Sequence, residues 1–433
     1  MSIAAVSPSQ LRHVAVVGSG ISGLGAAWAL SKAGHQVTLL ESGPYFGGHT
    51  NTVDVEIEGQ RFGVDTGFLV FNPNTYPNLL GLFDELGVRW TETDMSFAVS
   101  LDEARLEWAG TNLNTVFGQR ANVLRPRFWQ MVREILRFNA RAKEHLQQSL
   151  SRSWTLGELL RQEGYGEALR DDYLLPMAAA IWSSSPQDIL QFPAATFLRF
   201  CLNHSLLQVE GRPKWRTVTG GARHYVQAIL PTLHQARLAT PVRQIRRDAQ
   251  GVSLQLDDGE LRADAVVLAT HAPTSLSLLA DASPLEREVL GAFRTSLNRA
   301  YLHTDEAWMP RRRRVWSAWN YLGRSAAQDA ARPVCVSYWL NALQPLPVRQ
   351  PLFVTLNPWQ APREDRTLQV MDYQHPVMDP PAIAAQQRLH EIQGRQRTWF
   401  AGAWQGYGFH EDGLKSGLRV AADFQALPAW AQL

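Results

Sequence analysis

The run "HVAVVGSGISGLGAAWALSKAGHQVTLLE", residues 13–41, constrains the fold more than any other stretch of the chain. A short apolar run reads as a buried strand, a small-residue segment ending at Gly34 reads as a helix, and "QVTLLE" reads as the next strand. Between the first strand and the helix, Gly18, Gly20 and Gly23 stand at the spacing G-x-G-x-x-G. Gly18 permits a tight turn, Gly20 lets backbone approach a pyrophosphate, and Gly23 allows helix and strand to pack closely. The first helical residues, Ile21 and Ser22, then present aligned N–H donors to an anion. Glu41 ends the second strand 18 residues beyond Gly23. A carboxylate placed there accepts both ribose hydroxyls and repels a 2′-phosphate. The expectation is an α/β chain that opens with a dinucleotide-binding βαβ unit.

A chain of 433 residues exceeds one comfortable core, so a second domain is expected. Without repeats or a low-complexity linker, the two read as interleaved. After the N-terminal unit the pattern turns helical from about Arg125 to Leu207, returns to strands in "TPVRQIRRDAQGVSLQLDDGELRADAVVLAT", and continues into aromatic and β-branched runs such as "VCVSYWLNAL". "RTWFAGAW" and "DGLKSGLRVAADFQAL" then read as a last strand, a glycine loop and a closing helix. The expected division assigns 1–90, 212–285 and 390–433 to the nucleotide-binding domain, and 91–211 and 286–389 to a substrate domain.

Several classes are excluded or narrowed. No run approaches the roughly 18 apolar residues of a membrane span, and "MSIAAVSPSQLRH" reads as a short leader rather than a signal peptide, which makes the cytoplasm the expected location. The only cysteines, Cys201 and Cys335, read as core thiols without metal-ligand spacing, and no metal is expected. A formal charge of +2 with no binding module argues against nucleic acid. One cluster points elsewhere: "WMPRRRRVWSAW" sets Arg311–Arg314 among tryptophans, a pattern suited to peripheral contact with the anionic inner membrane surface.

Gly47 and Gly48 follow Glu41 closely, which a nicotinamide site does not require. Together with Val242 in "TPVRQI", Thr270 in "VVLATHAP" and Gly402, Gly413 and Gly417 in "FAGAWQGYGFHEDGLKSG", they resemble the flavin amine oxidase and phytoene desaturase superfamily. That resemblance implies a Rossmann-like FAD-binding domain of the glutathione-reductase and amine-oxidase type, interleaved with an α+β substrate domain. It implies FAD held by Gly18, Gly20, Ile21, Ser22, Gly23, Glu41, Gly47, Gly48, His49, Thr50, Val242, Thr270, Gly402, Asp412 and Gly413. The chain departs from the pattern at His49, where relatives carry arginine, and at Ala403 and Trp404, where many carry an acid.

A narrower resemblance rests on "GGHTNTV", "GVDTGFLVFN", "LNHSLLQ", "TVTGGARHYV" and "HEDGLKSGL". These look like bacterial flavoproteins encoded beside cyclopropane-fatty-acid synthase-like methyltransferases, including the methylated-fatty-acyl desaturase of furan fatty acid biosynthesis. The implied substrate is a fatty acyl chain within a phospholipid, desaturated beside an existing double bond by hydride transfer to flavin N5, with oxygen or a quinone as final acceptor. His410 and Glu411, just before the closing helix, are the candidate proton acceptors. His204 and Tyr225 are candidate substrate-lining residues. A flavin-dependent double-bond isomerase and an amine oxidase are the alternative readings.

Overall fold

The computed structural model describes residues 13–182, 185–208, 213–323 and 334–433. The leader reading and the 211/212 boundary lie outside the described residues. A five-stranded parallel sheet runs, in spatial order, Thr398–Phe400, Ala265–Leu268, His13–Val17, Gln36–Leu40, Gln235–Arg237. Its strands come from four distant stretches of chain, with helix Ile21–Lys32 crossing between the first two in sequence. Val14 and Val16 face one core, shared with that helix and the closing helix His410–Asp423, while Ala15 and Val17 face another beneath a three-stranded antiparallel sheet. Coverage on both faces explains why these strands are apolar without alternation.

Small residues let the first and closing helices approach. A Cβ on Gly417 would stand 2.3 Å from the Ser22 carbonyl oxygen, and one on Gly25 would stand 2.5 Å from a Leu414 methyl. The glycines of the C-terminal stretch therefore seat the closing helix against the nucleotide-binding turn.

The second layer is a seven-stranded mixed sheet, ordered Thr367–Val377, Arg294–His303, Phe353–Leu356, Cys335–Trp339, Trp319–Gly323, Phe97–Leu101, Leu106–Ala109. Neighbours are antiparallel except Trp319–Gly323 with Phe97–Leu101. Helices between Pro126 and Asn203 cover it and share its core through Phe128, Met131, Phe138, Phe197 and Phe200. The fold is an α/β nucleotide-binding unit joined to an α+β unit, as expected. Cys201 and Cys335 are both buried and are not joined by a disulfide. Among the described residues no helix is long and apolar enough to cross a membrane, and no histidine, cysteine or carboxylate cluster suits a metal.

Candidate active site

A cavity of about 640 Å³ reaches from the ends of the parallel strands to the seven-stranded sheet. Its first part is built from backbone. Gly18 has φ +99°, and a Cβ there would stand 2.6 Å from the Ala269 carbonyl oxygen, so only glycine fits the turn. At Gly20 nothing lies within 4 Å of an added Cβ, leaving open space over the helix start. That helix has no side-chain cap, so its first amides are available to an anion. Glu41 lines the same end; its Oε2 accepts from Ser19 N at 2.9 Å and its Oε1 from Gly43 N at 2.8 Å. The Ser19 hydroxyl also donates to Glu41 and accepts from Gly47 N at 3.1 Å, tying the acidic residue to the glycine pair. Gly48 rests on Gly20, and Thr240, Val242, Thr270, His271, Gly402, Ala403 and Trp404 complete this end.

The far part is built from side chains. Phe68, Trp182, Phe200, His204, Tyr407 and Phe409 line it, with Tyr373 and His375 from the longest strand. Phe200 stacks on His204 at 4.0 Å between ring centroids and on Phe409 at 5.0 Å. Phe68 stacks on His410 at 3.8 Å and 10°. His410 Nε2 shares a hydrogen bond with the Tyr225 hydroxyl at 2.8 Å, and that hydroxyl is bonded in turn to Thr50. The imidazoles here are held neutral by burial. His410 is pushed down to about 3, His204 and His375 to about 4, and His271 is lowered. His49 is also held well below the usual histidine value, by burial and then by the neighbouring His375. Its Nε2 is buried with no hydrogen-bond partner, while its ring stacks on Tyr373 at 5.0 Å. Among the described residues, Glu41 is the one acidic side chain lining the cavity, and no lysine or arginine lines it.

The structure gathers Gly18, Gly20, Ile21, Ser22, Glu41, Gly48, His49, Val242, Thr270, Gly402, His204 and His410 around this cavity. Gly23, Gly47, Thr50, Asp412 and Gly413 stand behind it. A Cβ on Gly23 would fall 1.9 Å from the Gly18 carbonyl oxygen, and one on Gly413 would fall 2.8 Å from Ile21. Asp412 accepts from Phe409 N at 3.0 Å and caps the closing helix.

Two expectations need correction. Glu411 does not line the cavity. Its carboxylate accepts from Asn78 N at 2.9 Å, Asn78 Nδ2 at 2.8 Å and Leu79 N at 3.0 Å, fastening the start of helix Pro77–Leu86. Burial raises it to about 7. Tyr225 does not line the cavity either; it is fully buried and touches His410 from behind.

The sequence reading also passed over Asp65. Buried and raised to about 6 by desolvation, it accepts from Thr52 Oγ1, from Ala222 N and from Gln344 Nε2. It thereby binds "GVDTG" to the "TGGAR" turn, whose Gly221 leaves room for it. The co-occurrence of those two motifs was the available signal. In the Arg311–Arg314 cluster, Arg312 pairs with buried Glu107 at 2.7 Å and Arg313 pairs with Glu306 at 2.6 Å, while Trp308 is buried.

The profile of the family described as flavin containing amine oxidoreductase matches residues 21–324. A Mycobacterium tuberculosis protein described as flavin-containing monoamine oxidase AofH is 27% identical over 351 residues, covering 77% of this chain and 72% of that one. Among solved structures, a fatty acid isomerase from P. acnes that produces CLA superposes with TM-score 0.67 at 18% identity, covering 97% of this chain and 99% of that one. Cyclohexylamine oxidase from Brevibacterium oxydans superposes with TM-score 0.69 at 16% identity, covering 96% and 98%.

Proposed function

The chain belongs to the family of flavin-containing amine oxidoreductases, and from that premise we propose that it is an FAD-dependent desaturase of a methyl-branched, already unsaturated fatty acyl chain carried on a phospholipid. That it is a flavin-dependent oxidoreductase follows from the family; the acyl substrate is our reading. The residues present fit FAD: open space over Gly20, uncapped helix amides, the Glu41 carboxylate and the unpartnered nitrogen of His49. When bound, the flavin supplies a hydride acceptor.

One observation carries the substrate assignment. The far part of the cavity is aromatic and aliphatic, and its ionisable side chains are imidazoles and phenols that burial keeps uncharged. An alkylammonium would meet no carboxylate there, whereas an acyl chain exchanges water for ring faces and methyl groups, at about 25 cal/mol per Å² of apolar surface.

The side chains of the wall have separate tasks. Phe68 covers one face of His410, and Tyr225 with Thr50 fixes the ring through Nε2, leaving Nδ1 as the nitrogen outside that bond. Burial keeps His410 neutral, with one ring lone pair; if Nε2–H donates to the Tyr225 hydroxyl, that lone pair is on Nδ1, where it would take the proton released as the C–H bond breaks. Phe200 packs against Phe409 and Trp182 in one aromatic wall that would exclude water and hold the acyl chain. Oxygen or a quinone would serve as the final electron acceptor.

Anaerobic mixing with phospholipid bearing a methyl-branched monoenoic chain should bleach the flavin and give a product lighter by two hydrogens. A shifted double bond at unchanged mass would replace this reading with isomerisation. Ammonia released from an amine panel would replace it with amine oxidation. Unbleached flavin and unaltered lipid would end it.

A further inference from the structure

The four-arginine run lies beside a larger surface that the sequence pattern did not single out. Segment 111–140 contains Arg120, Arg125, Arg127, Arg133 and Arg137 against a single acid, Glu134, which is buried. The same segment exposes Leu113 at 77%, Leu124 at 85% and Trp129 at 48%, with Val123 and Leu136 also open to solvent. They are held in one place. Trp129 Nε1 donates to the Val123 carbonyl at 2.8 Å, and its ring packs on Phe117 at 5.2 Å. Trp129, Arg133, Leu136 and Arg137 recur at spacings that put them on the outward side of helix Pro126–Ala140, opposite buried Phe128, Met131 and Phe138. The Arg313–Val315 turn packs on helix Leu113–Val116, with the Arg314 stem 3.4 Å from a Cβ built on Gly118.

Among the described residues only Arg127 of the five arginines has a carboxylate partner, Asp172 at 2.7 Å. Arg120 is steadied by the Phe117 carbonyl and Asn114, Arg125 by the Arg105 carbonyl and Asn122, and Arg137 by the Gly164 carbonyl and the Tyr165 ring. Exposed leucines and a tryptophan set among unneutralised guanidiniums have the composition of an interfacial surface: apolar groups enter the acyl boundary, and arginines remain at the headgroup phosphates.

We propose that the face formed by Leu113, Val123, Leu124, Trp129 and Leu136 with Arg120, Arg125, Arg133 and Arg137 docks on an anionic lipid bilayer. Arg311 and Arg314 border this face rather than form it. The inference stands apart from the acyl assignment, because docking requires no turnover.

Co-sedimentation of the flavin-loaded protein with phosphatidylglycerol vesicles tests it, with phosphatidylcholine vesicles and high salt as controls. Binding should require the anionic lipid and weaken with salt. Arg120→Gln with Arg133→Gln should weaken it by on the order of tenfold or more, and Leu113→Ser with Leu124→Ser should weaken it comparably, while flavin content stays unchanged. Absent binding, equal binding to phosphatidylcholine, or variants that bind like the parent would each overturn the proposal. So would a dimer in solution that the leucine substitutions dissolve, since a second copy would then cover the face. Turnover on dispersed lipid without vesicle binding would overturn docking and leave the desaturase reading in place; vesicle binding without turnover would do the reverse.

Discussion

The two ends of the cavity are built by different means. The nucleotide end is a backbone construction: Gly18, Gly20, Gly48 and an uncapped helix, with Glu41 and Ser19 among its polar side chains. The far end is a side-chain construction in which Phe68, Tyr373 and His410 arrive from three separate segments and Phe200 and His204 from a fourth, the helix Ala194–Asn203 and its C-terminal cap. Where backbone packs on backbone, as at Gly18 and Gly23, the site tolerates no added atom, because peptide groups cannot step aside. A side-chain wall can re-pack and shift its rotamers, so it can adapt to one substrate or another while the cofactor end stays constant.

Gly23→Ala should expose this contrast most sharply. Its Cβ would stand 1.9 Å from a carbonyl oxygen, and separating helix from turn should cost about 3 kcal/mol or more. Purified protein should carry little flavin, read as the visible absorbance relative to protein, and melt early. A fully yellow, stable variant would show that the nucleotide end is more plastic than the far wall.

Glu411→Ala should have the next largest effect, and on stability alone. Removing the carboxylate leaves the amides of Asn78 and Leu79 without their acceptor, at about 2 kcal/mol. Turnover per bound flavin should stay within about twofold of the parent. If the variant keeps its flavin and melting point but loses turnover, Glu411 acts in the reaction and the boundary between anchor and wall is misplaced.

Why the two ends differed in legibility follows from the same contrast. Gly18, Gly20, Gly23 and Glu41 perform backbone and end-of-strand tasks at fixed spacing, so a string of letters suffices to place them. Ser19 occupies a variable position of that motif, and its bond to Glu41 depends on a fold the spacing does not describe. His410 and Glu411 are adjacent in sequence, yet successive helical residues point about 100° apart, which sends one into the cavity and the other into the neighbouring helix. Tyr373 and His375 reach His49 across more than 300 residues, and no local pattern announces that meeting. Tyr225 was noticed for its place after a glycine turn, but burial decided that it supports the wall from behind.

Tyr225→Phe probes that support. It removes one hydroxyl shared by Thr50 and His410, for about 1 kcal/mol of stability. Because the His410 ring then loses its shorter Nε2 partner, turnover should fall several-fold while flavin content and substrate KM hold steady. A drop in KM-limited binding with unchanged kcat would mean that the hydroxyl positions substrate instead.

The smallest effect separates the two ends by pH. Burial lowers His204 to about 4 in the native chain, whereas an unfolded histidine titrates near 6.5. The native state therefore binds fewer protons than the unfolded state between those values, so stability rises with pH across that window and is lost as pH falls through it. Each such histidine should contribute about 1 kcal/mol of loss between pH 6.5 and 5.5. His375 and His410 lie in the same wall and add to the slope. Buried Glu411 and Asp65 oppose it: with folded values raised to about 7 and 6, they favour the native state at low pH and lose that contribution as pH rises. Denaturant melts of parent and His204→Phe should consequently diverge in slope below pH 6.5, with the variant flatter by one proton. Replacing Ser19 at the nucleotide end should shift the curves without changing that slope. Parallel curves for parent and His204→Phe would mean that the unfolded chain shields this imidazole as well, and would remove the wall as the source of acid sensitivity.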